Sequence, residues 1–229
     1  MKFAIIGNSH LSTIKSGWEE IKSDYPNFDP TFFGSAGRTL QSLELRGKTL
    51  VSELPGVKRM FKRTSGLDQI KLEQYEGFLL VGLCASDYAR FSHDKISQAV
   101  FDANLTDQVR NGPVGHIADL IAQVSNKPLY YSPSPLPLNY KPFKIKRHFP
   151  YEKFIERIVD THFKTLNVDV IPQPKSTRHN DAYTKYEFGK FDEETGKLKR
   201  GADKTRPDIQ HMNANYGALI IKELMERLG

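Results

Sequence analysis

Cysteine is almost absent from this sequence, because Cys84 is the only one among 229 residues. A single thiol excludes an internal disulfide framework and any zinc site built from several thiolates. Cys84 itself is more simply a small buried residue than a nucleophile, since free cysteine is among the most buried residue types. The histidines show no close metal-ligand spacing, so we expect no metal.

Long hydrophobic runs are also missing. No stretch approaches the roughly 18 apolar residues that a transmembrane helix needs, and the N-terminal MKFAIIGNSH has an apolar run too short for a secretory signal. Hydrophobic residues still make up 38% of the chain, too many for a disordered protein and enough for a sizeable core. We therefore expect one soluble, cytoplasmic domain over residues 1–229, with no membrane partner.

A nucleic-acid-binding signature is the third absence. The 33 Lys and Arg residues exceed the 27 Asp and Glu residues, for a net charge of +6, but no recognition motif accompanies the excess. The surplus is typical either of a solvated basic surface or of a site that attracts an anionic substrate. We expect no nucleic-acid partner, and the sequence does not indicate an oligomeric state.

Short apolar runs alternate with helical patterns along the chain. The predicted strands are Lys2–Ile6, Pro30–Phe33, Gly77–Leu83, Pro128–Ser132 and Val168–Ile171. The first predicted helix begins after residue 10. Four further helices are predicted at about 94–108, 113–125, 151–166 and 213–228. Alternation of this kind predicts a three-layer α/β/α fold with a central parallel sheet of about five strands. In such folds ligands bind beyond the carboxyl ends of the strands.

Two segments interrupt this alternation. The segments Thr49–Leu54 and Val57–Thr64 flank Pro55-Gly56, which predicts a β-hairpin insertion near 48–64. Residues 175–207 are polar and predict a long loop or a small hairpin. The aromatic residues of this second segment could form a wall for a sugar or anchor the loop: Tyr183, Tyr186, Phe188 and Phe191.

The first candidate functional residue is Ser9, in the turn Gly7-Asn8-Ser9-His10 between the first strand and the first helix. A hydroxyl there is exposed and lies in the field of the helix dipole, which favours an anion. Serine is also a common helix N-cap, so capping is the alternative explanation. His10 could line a pocket or lie on the surface.

The second candidate group is near the C-terminus, where Asp208 and His211 stand three residues apart before the last helix. A serine nucleophile needs a base to accept its proton, and the base needs a carboxylate to hold its tautomer. Asp208 and His211 could supply both from one loop. Taken separately, Asp208 could cap the helix and His211 could be a surface histidine.

The order of these features resembles the SGNH hydrolase superfamily, also called GDSL-type esterases. The matching blocks are Gly7-Asn8-Ser9, the GSAGRT segment with Gly37, and the C-terminal Asp208-x-x-His211. The resemblance implies a flavodoxin-like α/β/α fold, a Ser9-His211-Asp208 triad and no cofactor. It also implies an oxyanion hole that includes the backbone N–H groups of Ser9 and Gly37.

The third block of that family is different here. The family pattern Gly-x-Asn-Asp places an amide donor at the oxyanion, whereas Gly82–Asp87 reads GLCASD and has no Asn. Ser86 could replace the Asn, and Cys84 could also occupy its position. We expect Ser86 to contribute to the oxyanion hole, where one donor is typically worth a factor of about 10²–10³ in rate.

The resemblance therefore implies a serine esterase that removes acetyl or another short acyl group from a carbohydrate. Its partner would be a small-molecule or glycan ester, and the surplus of Lys and Arg is compatible with an anionic one. The alternatives are a carbohydrate O-acyltransferase that uses the same three residues, and a non-catalytic binding domain of the same fold.

Overall fold

A computed structural model describes residues 1–83, 97–140, 150–201 and 205–229. The strands are β1 (Lys2–Gly7), β2 (Asp29–Gly34), β3 (Leu43–Arg46), β4 (Thr49–Ser52), β5 (Ile70–Lys71), β6 (Gly77–Val81), β7 (Leu129–Ser132) and β8 (Val168–Val170). The α-helices are α1 (Leu11–Ile21), α2 (Pro55–Ser65), α3 (Gln98–Val109), α4 (Pro113–Ala122), α5 (Tyr151–Thr161) and α6 (Ala214–Leu228). Short 3₁₀ helices cover Lys22–Asp24, Gly37–Ser42, Leu72–Gln74, Phe163–Leu166, Lys175–Thr177 and Tyr186–Phe188.

The central sheet has five strands in the order β2-β1-β6-β7-β8. Every neighbouring pair in it is parallel. The three-layer fold class predicted from the alternation of strands and helices is confirmed. Because the chain goes from β1 to β2 on one side and later to β6 on the other, the order reverses at β1. The carboxyl end of β1 is therefore the place where ligands bind in open α/β sheets.

The two faces of the sheet are covered by different helices, because successive strand residues point to opposite sides. In β1, Phe3 and Ile5 pack in the cluster that contains the apolar faces of α1 and α6. Ala4 and Ile6 pack in the cluster formed with α2, α3, α4 and α5. All four side chains are fully buried, so β1 lies at the centre of both cores.

The predicted hairpin at 48–64 is corrected by the structure. Its first strand is β4, but β4 pairs with β3 and β5 in a separate antiparallel sheet. The turn between β3 and β4 lies at Gly47, which has a positive φ of 61°. Residues 57–64 are not a strand, because Pro55 occupies the first turn of α2, where its fixed φ favours a helix.

Residues 175–207 form a loop with short local structure rather than a regular hairpin in the part that is described. An antiparallel bridge between Phe191 and Leu198 closes one tight turn. Two 3₁₀ turns, at 175–177 and 186–188, add local order. Within the described ranges no helix has both the length and the apolar character needed to cross a membrane.

Candidate active site

Ser9 lies at the carboxyl end of β1, in the turn that leads into α1. The Asn8 carbonyl accepts from the Leu11 N–H at 3.0 Å, and the Asn8 side chain accepts from the His10 N–H at 3.1 Å. These bonds close the turn, while the Ser9 residue stays exposed. Gly7 is required just before it, since a Cβ there would lie 2.7 Å from the Val81 carbonyl oxygen of β6.

The structure brings Ser9, His211 and Asp208 into one hydrogen-bonded chain. His211 Nε2 lies 2.8 Å from Ser9 Oγ, across 202 residues of sequence. His211 Nδ1 lies 2.9 Å from Asp208 Oδ2 and 3.0 Å from Oδ1. Because a carboxylate only accepts hydrogen bonds, Nδ1 carries the proton and Nε2 accepts from the Ser9 hydroxyl. This arrangement allows the imidazole to take a proton from the serine.

The His211 loop is fixed from both sides by backbone hydrogen bonds. The Asp208 N–H donates to the Lys199 carbonyl at 2.8 Å, and the Ile209 carbonyl accepts from Leu138 N–H at 2.8 Å. One residue beyond His211, the Met212 carbonyl accepts from the buried Thr13 hydroxyl at 2.7 Å. Thr13 belongs to α1, the helix that begins beside Ser9. The same helix therefore sets the positions of both partners.

Asp208 stays ionised because of its hydrogen bonds. Burial acts to raise the pKa of its carboxyl, but the bonds from the His211 ring and backbone outweigh this and hold the pKa below its ordinary value. Oδ1 accepts from the His211 N–H at 3.1 Å and from the Gln210 N–H at 3.2 Å. The carboxylate is thus held by its own loop while it faces the imidazole.

His10 packs behind the His211 ring instead of lying on the surface. The two ring centroids are 5.1 Å apart, and His10 Nδ1 is buried with no hydrogen-bond partner among the described residues. Burial and the nearby His211 lower the pKa of His10 to about 3. His10 is therefore a neutral side chain that packs against the His211 imidazole. The sequence had suggested that His10 lines a pocket or lies on the surface, and neither describes this role.

Lys190 is a site residue that the sequence reasoning missed. Its Nζ lies 3.5 Å from the Ser12 hydroxyl, and the Ser12 hydroxyl in turn donates to the Ser9 carbonyl at 2.9 Å. Burial lowers the pKa of Lys190, and the nearby Asp208 carboxylate partly offsets this. One cation of the 175–207 segment thus stands beside Ser9, and no local sequence signal could have identified it.

The loop after β2 carries Gly37 to the same edge of the sheet. The Ser35 N–H donates to the Gly7 carbonyl at 3.2 Å, which ties this loop to the start of the Ser9 turn. Gly37 is the first residue of a 3₁₀ helix, where backbone N–H groups lack a partner within the helix. The oxyanion role of the Gly37 N–H stays a prediction. The other predicted donor, Ser86, and Cys84 lie outside the described residues.

The end of β6 contacts the Ser9 turn closely. A Cβ on Gly82 would lie 2.4 Å from Asn8 Oδ1 and 3.0 Å from the His10 ring. Gly82 and the buried Leu83 have positive φ values of 70° and 68°, which is costly for leucine. The backbone turns sharply at this point, and only glycine fits against Asn8.

An open pocket of about 250 Å³ adjoins Ser9. Its walls come from the start of α1, the end of β2 with the loop after it, and α2. The residues that line it are Asn8, Ser9, Leu11, Ser12, Lys15, Phe32, Gly34, Ser35, Ala36, Met60 and Thr64. The 48–64 segment therefore contributes to the site through α2.

The aromatic residues of the 175–207 segment mostly anchor it. Phe188 packs against Tyr216 of α6, with ring centroids 6.3 Å apart. Phe191 packs edge-on against Tyr186, which stacks on Tyr140 at 6.2 Å. These contacts hold Lys190 in place and favour the anchoring interpretation over a wall for a sugar.

A metal site is not formed by the described residues, among which no cluster of three His, Cys, Asp or Glu side chains could hold an ion.

Comparisons with known proteins give a fold-level likeness at most. No family model and no curated protein matches the sequence. One solved structure, a gut microbial diltiazem-metabolizing enzyme, has a TM-score of 0.47 at 10% identity, and the match covers 99% of this chain but 46% of that one. An FMN-dependent UbiX-like decarboxylase from Escherichia coli has a TM-score of 0.33 at 15% identity, with 76% and 81% covered. Both TM-scores are below 0.5, so neither likeness bears on function.

Proposed function

We propose that this protein is a serine esterase that removes acetyl or another short acyl group from a carbohydrate ester. The observation that carries the proposal is the hydrogen-bonded chain from Ser9 Oγ through His211 to Asp208, at 2.8 and 2.9 Å. An exposed serine at a helix N-terminus that also contacts an imidazole held by a carboxylate has the parts of an activated nucleophile. The carbohydrate part of the proposal rests on the SGNH resemblance alone.

The reaction follows from these positions. His211 Nε2 takes the Ser9 proton as Ser9 Oγ forms a bond to the ester carbonyl carbon. The backbone N–H groups of Ser9 and Gly37 stabilise the oxyanion, with Ser86 as the proposed third donor. The bond to the alcohol oxygen then breaks, and His211 returns its proton to that oxygen. A water molecule then gives a proton to His211 and attacks the acyl carbon. The bond from that carbon to Ser9 Oγ breaks, Oγ takes the proton back from His211, and the acid leaves.

Hydrolysis is favoured over transfer of the acyl group to a second alcohol by the exposure of Ser9. An acyltransferase needs to keep water from the acyl-enzyme, whereas a solvent-accessible serine gives water direct access. A non-catalytic binding domain would have no need for the aligned Ser9, His211 and Asp208.

The test is the Ser9→Ala variant, assayed with p-nitrophenyl esters and with a fluorophosphonate probe. We expect hydrolysis to fall by at least about 10³-fold, since removal of one member of such a triad leaves only oxyanion and binding effects. Probe labelling should disappear, while the circular dichroism spectrum and urea midpoint stay at wild-type values.

The matched control is Ser16→Ala, which removes an exposed serine of α1, the helix that follows Ser9. It should keep full activity and labelling. A folded Ser9→Ala protein that still hydrolyses esters or takes the probe would exclude Ser9 as the nucleophile. A wild-type protein that neither hydrolyses esters nor takes the probe would exclude the esterase proposal.

A further inference from the structure

The pocket beside Ser9 borders the nucleophile but not His211. Its walls are formed by α1, α2 and the end of β2, and His211 is not among the described residues that line it. The leaving alcohol has to lie within reach of His211 Nε2, because that atom returns the proton. A group that enters the pocket is therefore the acyl part of the ester and not its alcohol.

The pocket surface is apolar. Leu11, Phe32 and Met60 contribute hydrocarbon and thioether surface. Leu11 and Phe32 are anchored in the core, at 4% and 5% exposure. A surface of this kind favours a hydrophobic group, since burial of each methylene is worth about 0.8 kcal/mol, or roughly fourfold in affinity.

Apart from Ser9, the hydroxyl groups that line the pocket have protein partners, and the Lys15 ammonium donates to the Thr64 carbonyl at 3.4 Å. The Thr64 hydroxyl accepts from the Gly34 N–H and donates to the Met60 carbonyl, both at 3.0 Å. The Ser35 hydroxyl bonds to the Thr39 hydroxyl at 2.8 Å, and the Ser12 hydroxyl donates to the Ser9 carbonyl. A sugar ring in this pocket would lose its hydration without gaining equivalent partners.

The volume of the pocket exceeds what an acetyl group needs. At about 250 Å³ it has room for roughly eight water-sized groups, whereas an acetyl methyl would occupy about one. An acetyl ester would leave most of the apolar surface in contact with water. A longer acyl chain would pack on the partly exposed Met60 and on the small exposed parts of Leu11 and Phe32, and would displace that water.

We propose that this pocket binds the acyl chain of the substrate, and that the enzyme prefers unbranched apolar acyl groups of roughly four to eight carbons over acetyl. This inference rests on the proposed function of Ser9 and refines its substrate class. Met60 of α2 and Phe32 of β2 are then residues that determine acyl-chain specificity.

The first experiment measures kcat/KM for p-nitrophenyl acetate, butyrate, hexanoate and octanoate with the wild-type protein. Hexanoate should exceed acetate by at least roughly tenfold, because burial of even two of its four additional methylenes gives that factor. The labelling rate of Ser9 by methyl, butyl and octyl phosphonofluoridates gives the same comparison without turnover, and butyl and octyl should react faster than methyl.

The second experiment narrows the pocket with Met60→Trp. The matched control is Met225→Trp, which changes a partly buried methionine of α6 beside a different pocket, near Met1 and Tyr25 at the amino end of β1. Met60→Trp should lower the hexanoate-to-acetate ratio of kcat/KM by at least tenfold. Met225→Trp should leave that ratio at the wild-type value.

The outcomes separate this inference from the proposed function. A wild-type protein that hydrolyses acetate as well as hexanoate, or a Met60→Trp protein with an unchanged ratio, overturns the acyl pocket and leaves the esterase proposal intact. If Met60→Trp fails to fold, the wild-type ester and phosphonofluoridate series decide. Absence of both hydrolysis and labelling with every chain length overturns the esterase proposal, and the acyl pocket with it.

Discussion

Replacement of Asp208 by Asn isolates the role of the carboxylate, because the loop offers the amide a defined orientation. Oδ1 accepts from two backbone N–H groups, those of Gln210 and His211. The amide oxygen of the variant should keep this place, and the amide nitrogen should then occupy the Oδ2 position, 2.9 Å from His211 Nδ1. There it donates to Nδ1, so the imidazole proton moves to Nε2.

The consequence is an imidazole in the wrong tautomer for catalysis. With a proton on Nε2, His211 donates towards Ser9 Oγ at the same 2.8 Å and cannot accept the serine proton. We expect kcat to fall by roughly 10⁴-fold, equivalent to about 5.4 kcal/mol in activation free energy. The urea midpoint should change little, since the backbone bonds to the side chain remain.

The assay is steady-state hydrolysis of p-nitrophenyl esters near neutral pH, together with urea unfolding. Asp169→Asn is the matched control, since the Asp169 carboxylate pairs with Arg227 at 2.7 Å on β8 and not with a histidine. It should retain activity within about twofold, as expected for a surface ion pair. A folded Asp208→Asn protein with activity within tenfold of wild type would refute the tautomer argument.

Two further predictions concern stability. His10 has a folded-state pKa of about 3 against about 6.5 when unfolded, so protons bind the unfolded state as the pH falls. The free energy of unfolding should then drop by about 2 kcal/mol as the pH falls from 7 to 5. In urea titrations, His10→Gln should remove most of this dependence on pH. An unchanged dependence on pH in the variant would show that His10 titrates normally. Gly17→Ala should lower the free energy of unfolding by about 2 kcal/mol or more, because its Cβ would lie 2.1 Å from the Ala218 nitrogen of α6. Gly56→Ala is the control and should be nearly neutral, because a Cβ on Gly56 meets open space. Equal urea midpoints for Gly17→Ala and Gly56→Ala would contradict this packing.

Much of the fold was predictable from the sequence because the signals are local and periodic. The apolar run at Lys2–Ile6 and the turn residues after it predict strand β1 and the start of α1, and both are present. The prediction of a second hairpin strand at Val57–Thr64 was wrong, because it also rested on a short local signal. Val57 and Phe61 bury one face of a helix, and in a short segment the neighbouring Pro55 fits a hairpin turn and a helix start equally well.

The sequence determined the chemistry that could be assembled: a serine after the first strand and an Asp-x-x-His group before the last helix. That these side chains meet is a result of folding, because the Ser9–His211 contact spans 202 residues and depends on how α1 packs on α6. The burial of His10, the position of Lys190 and the apolar pocket also depend on packing between distant segments. Their physical basis is the exclusion of water by neighbours from other elements, which no local pattern of residues encodes.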